Sequence, residues 1–396
     1  MALKVSARGG IDPFIALDVL QRANERAVAG EHVLHLEIGQ PAGGPPAAVI
    51  RTAQQALASH SLGYTEALGL PELRQRVARH YREQYGVEID WRRIAIAPGS
   101  SGAFLLAFLS GFEIGDRVVL PDPGYPAYRN ILSSLGIIPV HLSTRAQDRF
   151  QPTVAMLEAI PGPVDGLIVA HPSNPVGTML RPEELRDIAR YCRDRGIRLI
   201  SDEIYHGITF GHEPATALAI DDEAIVINSF SKYFSMTGWR LGWAVLPNAL
   251  VRPVECLAQS LFISPPTLSQ IAAIRVFDCG PELQGNVARY SRNRDLLLRR
   301  LPEAGISRFV PPEGAFYLYA DVSSLSNDSE DLCRRLLNET GVALTPGVDF
   351  DRERGHAFVR ISFAGAEDDI AQALDRLIAW REQKPEDGKR RLGARR

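Results

Sequence analysis

From about residue 72 to residue 246 short, near-continuous apolar runs alternate with helical stretches. The runs are Ile94-Ala-Ile-Ala97, Arg117-Val-Val-Leu120, residues 137–142, Gly166-Leu-Ile-Val-Ala170, Arg198-Leu-Ile-Ser201, Ala224-Ile-Val-Ile227 and Gly242-Trp-Ala-Val-Leu246. Strands that are apolar throughout must be covered on both faces, and helical crossovers between parallel strands do that. The pattern predicts an α/β fold: a large domain with a mostly parallel seven-stranded sheet covered by helices. Helices are expected at 72–85, 103–110 and 182–195. Upstream, helical apolar spacing at 14–29 leads to a short strand at 33–38, a Gly/Pro loop at 41–46 and a helix at 47–59. After about residue 281 the rhythm changes. A polar helix at 282–302, strands at 315–319 and 358–362, and helices at 329–340 and 367–382 predict a smaller α+β domain. The expected division is an N-terminal arm joined to the small domain (1–46), a large domain (47–281), the rest of the small domain (282–382) and a flexible tail (383–396).

Bulk properties remove several function classes. With 396 residues, one large plus one small domain is the natural size. A net charge of -3 offers no electrostatic case for nucleic acid or an anionic membrane. The basic run from Lys389 to Arg396 reads as a solvated terminus. The four cysteines lie far apart without a CxxC pair, and His206 and His212 show no metal-binding spacing or carboxylate pattern, so no metal site is expected. No signal core opens the chain, and the apolar stretch 103–112 is too short to span a bilayer. A cytoplasmic protein with reduced thiols is expected.

Lysine supplies the sharpest functional signal. Of 44 basic residues only four are lysine: Lys4, Lys232, Lys384 and Lys389. Between residues 5 and 383 only Lys232 offers a primary amine. Arginine stays protonated, whereas lysine can lose its proton, attack a carbonyl and form a Schiff base. The loops after the predicted strands add further parts, where open parallel sheets place their ligands. Gly99-Ser100-Ser101-Gly102 is a strand–turn–helix anion cradle, equally readable as an ordinary helix start. It is neither GxGxxG nor GxxxxGK[ST]. Tyr125 in Asp-Pro-Gly-Tyr-Pro is a turn aromatic or a flat face for a ring. Asn174 in His171-Pro-Ser-Asn-Pro-Val-Gly177 is a turn former or a donor to a phenolate. Asp202 in Ser-Asp-Glu-Ile-Tyr205 is a helix cap or the partner of a ring nitrogen. Ser229, Lys232 and Arg240 follow. A phosphate cradle, a stacking ring, a phenolate partner, a pyridinium partner and an imine-forming lysine, in successive loops of one sheet, make the parts list for pyridoxal phosphate.

These residues bring out a resemblance over about Ile15 to Ala379. The chain resembles the class I/II aminotransferases, pyridoxal-phosphate enzymes of fold type I. The most specific segment is Ser229-Phe-Ser-Lys232-Tyr-Phe-Ser-Met-Thr-Gly-Trp-Arg240. Also similar are Gly63 to Arg74, His171 to Gly177, Ser201 to Tyr205, Glu313 to Tyr317 and Phe358 to Ser362. The resemblance implies an aspartate-aminotransferase-like architecture and specific roles. Lys232 would carry the cofactor and act as base. Asp202 would pair with the ring nitrogen. Asn174 and Tyr205 would bond the phenolic oxygen, and Tyr125 would stack. Ser100, Ser101, Gly102, Ser229 and Arg240 would hold the phosphate, joined by Tyr64 from a neighbouring subunit of a homodimer with shared active sites. Arg360, Gly39 and Asn174 would meet the substrate α-carboxylate. Gln40 stands where the family often has Glu, and Ala42 to Pro46 departs from its pattern. Both departures bear on specificity rather than chemistry.

The implied activity is ping-pong transfer of an amino group between an L-amino acid and a 2-oxo acid. A carbon–sulfur β-lyase or another α-carbon enzyme of the same fold is the nearest alternative. A non-catalytic regulator is a more distant one: it would be expected to carry an added DNA-binding segment, yet the resemblance begins within about 20 residues of Met1. Aspartate, alanine, aromatic and branched donors all stay open.

Overall fold

The computed structural model describes residues 3–59 and 61–383. The tail beyond Gln383, with Lys384 and Lys389, lies outside the described residues. Two compact units emerge. The larger holds residues up to Asp12, Gly43–Ala288 and Glu313–Ala315; the smaller holds Pro13–Ala42, Arg289–Pro312 and the chain from Phe316 onward.

The larger unit is built on a seven-stranded sheet. In spatial order its strands are Ile94–Ala97, Gly242–Val245, Ile225–Ser229, Arg198–Asp202, Gly166–Ala170, Arg117–Asp122 and Ile138–Ser143. All run parallel except Gly242–Val245, which is antiparallel to both neighbours. The expected α/β architecture is therefore present.

Alternation along each strand sorts its side chains into two cores. Ile94, Ile96, Val119, Leu167, Val169, Leu199, Val226, Trp243 and Val245 enter one cluster. Ala95, Ala97, Val118, Leu120, Ile168, Ile200, Ile225, Ile227 and Ala244 enter the other. Trp243 is fully buried and its indole N–H donates to the Tyr81 hydroxyl (3.2 Å), which satisfies the one polar atom of the ring.

In the smaller unit a four-stranded antiparallel sheet has the order Thr345–Pro346, Phe358–Ser362, Tyr317–Asp321, Arg308–Phe309. A parallel pair, Leu34–His35 with Val342–Ala343, forms a separate two-stranded sheet. The helices Ile15–Val28, Ser329–Thr340 and Glu367–Glu382 match the sequence periodicity closely. Among the described residues no helix is long and apolar enough to cross a membrane.

Several local expectations need correction. The strand expected at 33–38 shrinks to two residues because the Glu37 carbonyl is taken by the Arg360 and Thr345 side chains. The strand expected from Ala315 starts at Tyr317, because Ala315 has φ +57° and donates its N–H to the Ile208 carbonyl (2.9 Å). Helices Pro126–Leu135, Asn248–Leu261 and Thr267–Ile274 were not expected. Pro126 begins the first at N1, where a missing N–H costs nothing. Asn248–Leu261 tolerates Pro253 inside it.

Candidate active site

Most of the expected cofactor residues of the larger unit lie at or just after the C-terminal ends of parallel strands. Asp202 and Ser229 are the last residues of theirs, and His171 to Gly177 follows Ala170. Gly99-Ser100-Ser101-Gly102 is not a turn before the helix. It is the first turn of Gly99–Gly111 itself. Gly99, at φ +73°, makes the sharp entry that the sequence reading assigned to all four residues.

That helix start is crowded from two sides. A Cβ on Gly99 would meet Arg240 Nη2 at 2.4 Å, so the guanidinium lies against the first helical residue. A Cβ on Gly242 would meet the Ser100 nitrogen at 2.6 Å, so the strand start presses on the same turn. Arg240 has φ +52°, and its Nη1 donates to the Thr237 carbonyl (3.0 Å). Buried Ser229 accepts from the Ser231 N–H (3.1 Å) and donates to the Leu241 carbonyl (3.3 Å). Helix-start N–H groups, hydroxyls and a guanidinium thus converge, an arrangement suited to a phosphate.

Lys232 is half-buried, with Nζ 5.9 Å from the Tyr205 ring centroid. Asp202 is 4% exposed. Its Oδ1 accepts from the Ile204 N–H (3.1 Å), and its Oδ2 accepts from the Tyr128 hydroxyl. Burial pushes the Asp202 carboxyl up to about 6, against the Tyr128 bond and the nearby Lys232 charge, which act the other way. Tyr125 meets Tyr128 edge to face at 5.3 Å. Tyr125, Tyr128, Ser173 and Asn174 line one small cavity.

Tyr128 was missed in the sequence. The signal was present: Tyr125 caps a helix begun by Pro126, and Tyr128 follows three positions later. A second group was missed on the other side of the strand end. His171, Glu203 and His206 are all buried, and one ligating atom from each lies within 4.8 Å of the others. His206, read as lacking a carboxylate, has Glu203 Oε2 at 3.5 Å.

Tyr64 is 82% exposed. In the smaller unit Arg360 is 2% exposed. Its guanidinium lies 4.5 Å from the Tyr317 ring centroid and 4.7 Å from that of Phe350. Its Nη2 donates to the Glu37 carbonyl and to Thr345 Oγ1 (3.2 Å). A Cβ on Gly39 would fall 1.6 Å from the Tyr317 hydroxyl, so only glycine fits there.

The family described as aminotransferase class I and II matches residues 31–377. The chain belongs to this family. It is 48% identical over 384 residues to a valine–pyruvate aminotransferase of Mycobacterium tuberculosis, covering 96% of this chain and 99% of that protein. A crystal structure of an aminotransferase from Mycobacterium tuberculosis superposes with a TM-score of 0.94 at 48% identity, over 97% of this chain and all of that one. An aspartate aminotransferase from Thermus thermophilus, solved with maleate, gives 0.89 at 29% identity, over 96% of this chain and 100% of that one. Class I/II aminotransferases of this fold use pyridoxal 5'-phosphate. This one moves amino groups between amino acids and keto acids, the first of the activities left open by the sequence.

Proposed function

We propose that the amino donor is a small aliphatic amino acid of the valine type, that the acceptor is a short 2-oxo acid such as pyruvate, and that the working form is a homodimer with shared active sites. The donor assignment is supported by 48% identity to a valine–pyruvate aminotransferase, against 31% or less to aspartate aminotransferases. The dimer is supported by the exposure of Tyr64, Leu261 and Ile263, which a second copy would cover.

The convergence of Lys232, Asp202 and Tyr205 at one sheet edge carries the catalytic reading. The site suits the cofactor on its own terms: a helix start beside Arg240 for a dianion, a buried carboxyl for a protonated ring nitrogen, and one primary amine. Bound pyridoxal phosphate supplies a carbonyl for an amine and a ring that accepts electrons from the substrate α-carbon. Lys232 Nζ takes the α-proton and returns it. Asp202 holds the proton at the ring nitrogen. Asn174 and Tyr205 bond the phenolic oxygen, and Tyr125 covers the ring face. Ser100, Ser101, Gly102, Ser229 and Arg240 bind the phosphate, with Tyr64 reaching the site of the other copy. Arg360 offers its planar fork to the substrate carboxylate, and Gly39 and Asn174 are the other residues assigned to substrate binding.

Adding single amino acids to the cofactor-loaded protein tests this reading. L-Valine should shift the cofactor's visible band, and pyruvate should restore it while alanine appears. A protein that ignores valine and responds to aspartate with 2-oxoglutarate has a different donor. Pyruvate release without an amino acceptor would mark a lyase.

A further inference from the structure

Strand parity places two adjacent carboxyls on opposite sides of one strand end. Asp202 faces Tyr128 of one core, whereas Ser201 and Glu203 face Ala217 of the other. Glu203 is fully buried. Its Oε1 accepts from Ser201 Oγ (3.1 Å), Thr216 Oγ1 (3.2 Å) and the Ala217 N–H (2.8 Å). Its Oε2 has no hydrogen-bond partner, and neither has His171 Nδ1. No lysine or arginine among the described residues pairs with Glu203.

The directions of the surrounding bonds determine where the protons sit. His206 Nε2 contacts the His171 carbonyl (3.0 Å), which can only accept, so Nε2 carries a hydrogen. In neutral His206, Nδ1 is then an acceptor, filled by the Tyr85 hydroxyl at 2.8 Å. Ser201 spends its one hydrogen on Glu203, so its oxygen accepts from His171 Nε2 (3.1 Å), which leaves His171 Nδ1 bare. Glu203 Oε2 therefore lies 3.5 Å from a ring nitrogen, His206 Nδ1, that has no hydrogen to give it. A carboxylate oxygen there would meet like polarity without a donor; an O–H would not.

We propose that Glu203 is held as the neutral acid, with its proton on Oε2, and that it is a positioning residue which leaves Asp202 the only ionised carboxyl at this strand end. The proposal rests on the role given above to Asp202, whose hold on a ring proton would be altered by a second charge one residue away.

The titratable surroundings agree. Burial pushes Glu203 up to about 8 against its three donors, and the Asp202 charge adds to the rise. Burial pulls His171 down to about 4 and His206 well below its usual value. His80, facing His206, is pulled to about 4, mainly by burial. Tyr81 and Tyr85, which face Glu203 from the helix Pro71–Tyr85, are raised well above the usual phenol range by burial. All these neighbours are neutral at pH 7 except Asp202.

The test compares wild-type holoprotein with Glu203→Gln, whose amide reproduces the shape and donor of the protonated acid. The infrared difference spectrum should show the carbonyl stretch of a protonated carboxylic acid in the wild type and its loss in the variant. In wild type alone, exchange into heavy water should shift that stretch, a reading that stands even if the variant does not fold. The visible band should titrate alike in both proteins below pH 7, and a further wild-type step near pH 8 should be lost in the variant. Three results would each overturn the proposal: a carboxylate stretch only; a displacement of the lower-pH midpoint by about one unit or more in Glu203→Gln; or stoichiometric zinc bound by the His171, Glu203 and His206 trio. The infrared reading needs no turnover, and an unchanged band in Asp202→Asn would separately remove the role of Asp202.

Discussion

Asp202 in the larger unit and Arg360 in the smaller are both almost fully buried, yet their surroundings act on charge in opposite ways. Asp202 has two hydrogen-bond donors in a desolvated pocket, and its proton affinity rises. Arg360 is gripped by a carbonyl, a hydroxyl and two ring faces, all of which favour a planar cation. In the proposed function the first would pair with a proton on the bound ring and the second would present a fixed positive fork. A buried carboxyl left short of positive partners is tunable; a buried guanidinium is only a holder of position.

Four substitutions sharpen that contrast, three on turnover from the largest expected effect to the smallest and one on stability. Lys232→Ala should lower turnover by about ten-thousand-fold or more while circular dichroism and the melting point stay close to wild type. Retained turnover would sink the assignment of the base. Arg360→Lys should cost about 1.5–3 kcal/mol in kcat/KM through the lost fork. Steady-state kinetics with varied donor should show most of that loss in KM. An unchanged KM would mean that Arg360 serves packing alone.

Tyr128→Phe should act more gently, by about 1 kcal/mol. The Tyr128 bond favours ionised Asp202, so its loss raises the Asp202 value and moves the acid limb of the kcat/KM profile to higher pH. A shift to lower pH would contradict the bond's direction. The fourth effect is on stability rather than turnover. The folded Glu203 carboxyl lies above its unfolded value near 4.5, so its stabilising contribution is full below that value and is lost as pH rises toward about 8. Glu203→Gln should flatten the fall in melting temperature across this window. Equal slopes in both proteins would show that Glu203 is ionised throughout.

The sheet was legible because strands buried on both faces are written as unbroken apolar runs, and every expected strand of the large sheet formed. Lys232 was legible because lysine is so scarce. Tyr128 was not, because reading Asp122 to Pro126 as a loop hid the helix that carries the tyrosine. The trio of His171, Glu203 and His206 was also hidden. Glu203 and His206 are neighbours in sequence, but His171 and Tyr85 reach them only through the fold. Arg360 could pass for a surface charge in a strand; burial between Tyr317 and Phe350 depends on pairing that no local pattern shows.

The alternation that divides the sheet into two cores has a sharper meaning at residues 202 and 203. Two acids, one peptide bond apart, belong to different chemical compartments solely because one number is even and the other odd. Deleting a single residue from Arg198–Asp202 would exchange their addresses: the acid on the Tyr128 side would enter the Ala217 compartment, and the acid proposed to stay neutral would take its place. Insertions and deletions of one residue in this strand should therefore be far more damaging than most substitutions within it, since they rewrite which acid is which.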